Sequence, residues 1–183
     1  DSDDVLHSDG VSRAYEKAVN ADADILHMSY VSFVDGKDNF TKNETVLKSD
    51  KVLNHEEMIR YVCTSNTDRT VIFAWRNIYK RNFLIENGVL FDISLRMLED
   101  PPFNTLAFLK AERVVAADEP IYAYRIRKDS LQRTKYVKDY DLVMNRQWKL
   151  KLKYFSENSD NNPLFYSDIA EFTIKANLPV LLG

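Results

Sequence analysis

At 183 residues, with 45% hydrophobic and 29% charged side chains, the chain is long enough for a real core and has the balance of a folded, water-facing protein. Lys and Arg number 25 against 28 Asp and Glu, a formal charge of −3, which argues against a nucleic-acid binder and gives no strong pull toward an anionic membrane. The lone Cys63 cannot close an internal disulfide and no apolar run reaches the length of a membrane span, so a reducing, cytoplasmic setting is expected.

The opening DSDDVLHSDG is acidic, unlike a secretory leader, and reads as entry into the middle of a domain. Ser8 or Asp9 caps a helix running to about Ala21, with Val11, Tyr15, Ala18 and Val19 on one face. Asp24 to Val34 is rich in Ile, Val, Tyr and Phe and reads as a strand. Asp35, Gly36 and Lys37 make a turn, with a poorer strand returning through Thr45 to Leu47. Asn54 and Glu57 have capping-box spacing for a helix carrying Met58, Ile59 and Val62, the apolar stretch that holds Cys63. Val71 to Trp75 is a short apolar segment, and a helix near Lys80 to Asn87 stops at Gly88.

Asp100 with Pro101 and Pro102 predicts a helix start, the acid as N-cap, and the helix uses Phe103, Leu106, Ala107 and Lys110. Two short strands follow, Val114 to Ala116 and Ile121 to Ile126. A long amphipathic helix spans Lys138 to Glu157, offering Tyr140, Met144, Trp148, Leu152 and Phe155 to one side. A polar loop and a last helix, Pro163 to Asn177, complete an α/β chain with its helices concentrated late.

Several chemistries are missing. There is no GxGxxG and no P-loop, and the four glycines (Gly10, Gly36, Gly88 and Gly183) are far apart. Phosphate must then be held by cations or a metal rather than a glycine nest. His7, His27 and His55 lack zinc spacing, and no GxSxG elbow occurs. Dehydrogenase, kinase and serine-hydrolase readings lose ground.

Three constellations remain, each with a plain structural alternative. In DSDD at 1–4 the alternate carboxylates Asp1 and Asp3 point the same way in an extended segment and can share a hard cation such as Mg²⁺ or Mn²⁺, but on spacing alone an exposed or helix-capping acidic run is the stronger reading. Glu99 and Asp100 at a helix start can supply a rigid general base, or simply a cap. Tyr122, Tyr124, Arg125, Arg127, Lys128 and Ser130 form a strand and its exit loop. Arg125 and Arg127 share a side and suit a diphosphate, or are an ordinary solvated strand end.

In order, these pieces resemble the bacterial family 2 glycosyltransferases. DSDD at 1–4 is similar to the family's DxD motif, followed by ADADILHMSY at 21–30. FAWRNIYKRNFLIENGVLF at 73–91 is similar to its Trp-containing stretch, LEDPPF at 98–103 to its Glu-Asp motif, and PIYAYRIRKDSL at 120–131 to its Tyr/Arg/Ser tail. The resemblance covers roughly residues 1–131 and implies a partial GT-A fold, a mixed sheet with C-terminal helices. Residues 1–131 would be the catalytic part and 132–183 a helical extension.

The resemblance also implies a reaction. A nucleotide-diphospho-sugar binds with Mn²⁺ or Mg²⁺ at Asp1 and Asp3, Asp3 being the main ligand and Asp1 facing the ribose. Asp100 is the base that activates a hydroxyl of a saccharide or lipid-linked saccharide acceptor, with inversion at the anomeric carbon. Glu99 orients the acceptor side, Arg125 or Arg127 reaches the diphosphate, and Trp75 walls the sugar or acceptor pocket. The location is cytoplasmic, extending to the inner membrane face. Two departures stand out. The family often has Lys two residues after the Trp, where this chain has Asn77, so that Lys's role does not carry over. The family's first βαβ portion, which holds base and ribose, would precede Asp1. On that basis the chain is expected to be inactive alone and, with sheet edges exposed, to self-associate. The alternatives are a non-catalytic association domain that retains the fold, with its late helices contacting a partner or a membrane surface, and a metal-dependent nucleotidyl- or phosphoryl-transfer enzyme.

Overall fold

A computed structural model of the chain describes residues 3–37, 39–43, 51–58, 73–127 and 139–158. They belong to two compact units, each assembled from separate stretches: Asp1–Val52, Trp75–Lys80 and Arg113–Tyr140 in the first, Leu53–Ala74, Arg81–Glu112 and Asp141–Gly183 in the second.

The first unit is built on two long strands, β2 (Ile25–Val34) and β6 (Val114–Ile126), which run parallel. Ile25 to Ser29 and Val114 to Ala117 are all buried, which suits a parallel pair covered on both faces. The strands expected at Val114 to Ala116 and Ile121 to Ile126 are therefore one. Pairing runs from Ile25↔Val114 to Met28↔Ala117 and resumes at Tyr30↔Tyr122. The extra residues of β6, Pro120 among them, bulge out, since Pro cannot donate to a ladder. Around this pair lie β1 (Val5–Leu6) against β6, β3 (Phe40–Asn43) and β5 (Asn77–Tyr79) against β2, and β4 (Val52–Leu53) against β6. The β2–β3 turn passes through Gly36 at φ +75°, and β3 precedes the predicted strand at Thr45 to Leu47, which lies outside the described residues.

The helix α1 (Gly10–Asn20) forms where predicted but turns a different face inward. Gly10 and Ala14 are buried and Ala18 of the predicted face packs partly buried against the core, whereas Val11, Tyr15 and Val19 are exposed. The reason is distance: a Cβ on Gly10 would lie 2.7 Å from Ile121 Cγ2, so only small residues fit between helix and sheet. Asp9 occupies the N-cap position, yet its carboxylate bonds His7 Nδ1 at 2.5 Å and makes no capping bond.

In the second unit the predicted capping box is real: Glu57 N–H donates to Asn54 Oδ1 at 3.0 Å, and Asn54 N–H to Glu57 Oε2 at 3.2 Å. Ile59, Val62 and Cys63 lie outside the described residues. Helix α2 (Arg81–Glu86) ends in a turn through Gly88 at φ +63°, as expected. Helix α3 (Asp100–Lys110) is buried at every position from Pro101 to Leu109, so it is a central helix rather than an amphipathic one. Helix α4 (Tyr140–Asn158) buries Met144, Gln147, Leu150, Lys151 and Phe155. Of its predicted apolar stripe only Met144 and Phe155 are buried; Tyr140, Trp148 and Leu152 are half-buried, and two polar residues share the inner face. The predicted helix at Pro163 to Asn177 lies outside the described residues. No described helix is long and apolar enough to cross a membrane.

Candidate active site

The chain start and the end of β6 are knitted together in the first unit. Asp4 uses both carboxylate oxygens structurally: Tyr122 OH donates to one at 2.5 Å and the Arg125 backbone N–H to the other at 2.7 Å. Burial and this carboxylate push the Tyr122 phenol well above its ordinary range, so it stays a donor. The Asp3 side chain is 30% exposed and pairs with Arg127 Nη2 at 2.8 Å. Arg125 donates through Nε to the Asp3 carbonyl and through Nη1 to Asp35, each at 2.7 Å, and lies over the Phe33 ring. Both arginines thus come to the acidic segment, and both meet carboxylates or carbonyls of this chain. Asp1 lies outside the described residues, as do Lys128 and Ser130. Asp35 and the structural role of Asp4 carry no signal in the sequence beyond their charge.

Among the described residues no three His, Cys, Asp or Glu side chains cluster to hold a metal. Mg²⁺ and Mn²⁺ do not need such a cage: one or two carboxylates suffice when substrate phosphates complete the shell. Asp3 fits that role, because its partner is an exposed ion pair of at most about 1 kcal/mol. Asp4 does not fit it, with both oxygens engaged.

Trp75 packs in the same unit. Its ring stacks on Tyr122 (centroids 4.6 Å apart) and on Tyr124 (5.6 Å), and meets Tyr30 edge-on at 4.8 Å. Tyr122 and Tyr124 present the same face of β6, as alternate strand residues do. The next two residues are buried. Arg76 donates through Nε to the Met28 carbonyl at 3.1 Å, and Asn77 accepts from His27 Nδ1 at 2.6 Å while donating to Tyr79 OH at 2.9 Å. Burial, with the Arg76 charge adding, lowers His27 to about 3, so it is neutral at physiological pH. Asn77, the departure from the resembled pattern, is thus a buried bridge between two strands.

Glu99 and Asp100 lie in the second unit, at the start of α3, but not as expected. Glu99 is the N-cap and Asp100 the first helical residue, and no side chain caps the helix. The prolines at 101 and 102 remove two of the N–H groups a cap would serve. The Asp100 carboxylate is therefore left for other work, and accepts the Ala74 backbone N–H at 3.1 Å. Burial raises its pKa above the ordinary carboxylate value, the Ala74 bond opposes the shift, and the neighbouring Glu99 charge adds to it. Just before the pair, Leu98 has φ +54°, a left-handed backbone that no sequence signal announces.

No protein-family model matches the chain. Among curated proteins it is 29% identical over 183 residues to "Uncharacterized glycosyltransferase EpsJ" of Bacillus subtilis, covering 100% of this chain and 52% of that protein. It is 32% identical over 138 residues to "Glycosyltransferase GlyA" of Streptococcus pneumoniae serotype 4, covering 73% of this chain and 19% of GlyA. The chain thus spans about half the length of one relative and about a fifth of the other. Among solved structures, S. aureus TarS 1–349 in complex with UDP matches with a TM-score of 0.64 at 17% identity, covering 97% of this chain and 45% of that one. The same protein in complex with UDP-GlcNAc matches with a TM-score of 0.55 at 17% identity, covering 95% and 55%. The chain is thus similar in sequence to proteins named as glycosyltransferases, and the structural match shows that it shares the mixed α/β fold of TarS.

Proposed function

We propose that the chain carries the metal-ligand and base residues of an inverting family 2 glycosyltransferase. The reaction moves a sugar from a nucleotide-diphospho-sugar to a hydroxyl of a saccharide or lipid-linked saccharide, in bacterial surface-polysaccharide synthesis at the cytoplasmic face of the membrane. The observation that carries this reading is Asp100. It is a carboxylate at a fixed helix start, not used as a cap, with its proton affinity raised by burial. The TarS complexes with UDP and UDP-GlcNAc favour a nucleotide sugar as donor.

Deprotonated Asp100 accepts the proton of the acceptor hydroxyl while that oxygen attacks the anomeric carbon. The bond from the sugar to the diphosphate breaks, its electron pair leaves on the diphosphate oxygen, and configuration inverts. Glu99 keeps a second negative charge beside the base and so supports its proton affinity. Asp3, with Asp1, would hold Mn²⁺ or Mg²⁺, which when bound offsets charge on the leaving diphosphate. Arg125 and Arg127 add cationic charge on the same unit, and Trp75 offers an apolar ring.

The test is sugar transfer by the full-length protein that contains this chain, from a panel of nucleotide sugars with Mn²⁺, for the wild type and for Asp100→Asn. A glycosylated product that depends on Asp100 supports the reading. Near-normal turnover by Asp100→Asn, or transfer of phosphate instead of sugar, overturns it.

A further inference from the structure

Two adjacent residues of α4 reach the loop that leads into the acid pair. Arg146 Nη2 donates to Asp92 Oδ2 at 2.7 Å, and Gln147 Nε2 donates to the Leu98 carbonyl at 2.9 Å. They tie down opposite ends of the 92–98 loop. Leu98 needs the tie: a branched side chain in the left-handed region costs about 1–3 kcal/mol and persists only where the surroundings over-determine it. Gln147 is 2% exposed, midway along a helix whose inner face could have been apolar. A buried amide without a partner costs about 1–3 kcal/mol, so its bond to Leu98 is the arrangement that makes Gln147 tolerable there. The residue after Leu98 is the N-cap Glu99, and the next is Asp100.

We propose that Gln147 is a positioning residue for Asp100: by bonding the Leu98 carbonyl it holds the left-handed turn that sets how the Glu99–Asp100 pair enters α3. The inference rests on the reading of Asp100 as base. It assigns work to α4, a segment outside the resemblance to family 2. Arg146 holds the far end of the same loop, and Gln147 touches no reacting group.

The experiment uses Gln147→Met, which keeps length and volume and loses the donor. Displacing a base by a fraction of an ångström is expected to lower kcat about 10–100-fold with donor KM nearly unchanged. Leu98→Asn in that background should recover most of the loss, because Asn tolerates the left-handed region without help. A second readout needs no activity. The Ala74 amide is held by the Asp100 carboxylate, so its hydrogen exchange should quicken at least about tenfold in Gln147→Met and return in the double variant. A lower melting temperature with unchanged kcat and unchanged Ala74 exchange would mean that Gln147 merely packs, and overturns the proposal. If Gln147→Met does not fold, Arg146→Gln, at a more exposed side chain, loosens the other end of the loop. Faster Ala74 exchange there supports the clamp, and no change overturns it. Should Asp100→Asn retain turnover, the base assignment fails separately, and Ala74 exchange still decides whether Gln147 sets the carboxylate's position.

Discussion

With Asp100 as the proposed base, function and stability pull in opposite directions there, and the two can be measured on the same pair of variants. Its folded pKa lies above the ordinary carboxylate value, chiefly through burial. The linkage sign follows: stability from this group is fully present below the unfolded pKa and is lost as pH rises through the folded pKa. At neutral pH the ionised carboxylate works against the fold. Asp100→Asn removes the charge and keeps an oxygen for the Ala74 N–H, so it should melt at or above the wild type at pH 7, the difference closing on acidification. Asp100→Ala leaves that N–H without its acceptor, at a cost of about 1–3 kcal/mol. For a chain of this size each kcal/mol moves the midpoint by roughly 2–4 °C, so the alanine variant should melt roughly 2–12 °C below the asparagine one. Both should lose activity, since a general base contributes about 10²–10⁴-fold. Thermal melts at pH 5 and 7 and transfer assays test the pair. An asparagine variant that melts several degrees below the wild type at pH 7 would refute the burial argument; one with intact turnover would refute the role.

Other outcomes follow from the same geometry. The acid limb of the kcat–pH profile should have its midpoint above the ordinary carboxylate value, because Asp100 acts deprotonated; a midpoint at or below that value counts against Asp100 as the base. Gly10→Val forces a side chain into the space of Ile121 and should cost about 1–3 kcal/mol in urea unfolding, whereas tolerance would mean that α1 can lift off the sheet. Tyr122→Phe keeps the stack on Trp75 and deletes the donor to Asp4, for a loss of about 1.5–3 kcal/mol; an unchanged urea midpoint would show that Asp4 does not hold β1 to β6.

What could be read in the sequence was whatever local chemistry dictates. The β-branched and aromatic run of β2, the Asn54/Glu57 box, the stop at Gly88 and the start of α3 all follow from rules spanning a few residues. Failures came where a partner distant in sequence decides. Periodicity counted Val11, Tyr15 and Val19 as a core face, but the closeness of Ile121 favours Gly10 and Ala14. The motif residues were visible as residue types; their bonding was not. Asp100 appeared to be a cap because acids before prolines often are, and only the fold shows that Ala74 takes its oxygen.

The asymmetry between chemistry and its support has a physical origin. A base or a metal ligand must be one of very few residue types, so Asp3 and Asp100 can be proposed for those roles from identity and order. A group that holds a carbonyl in place can be any donor of suitable length, from anywhere in the chain. Gln147 lies 49 positions from Leu98 on a helix that matches no motif, and Leu98 is not a residue type associated with positive φ. Neither half of that pair is unusual as a letter. The strain at one and the burial of the other become informative only when the 2.9 Å bond joins them immediately before Glu99 and Asp100. Supporting residues of this kind are therefore found from geometry outward, starting at the strained backbone nearest the reacting group.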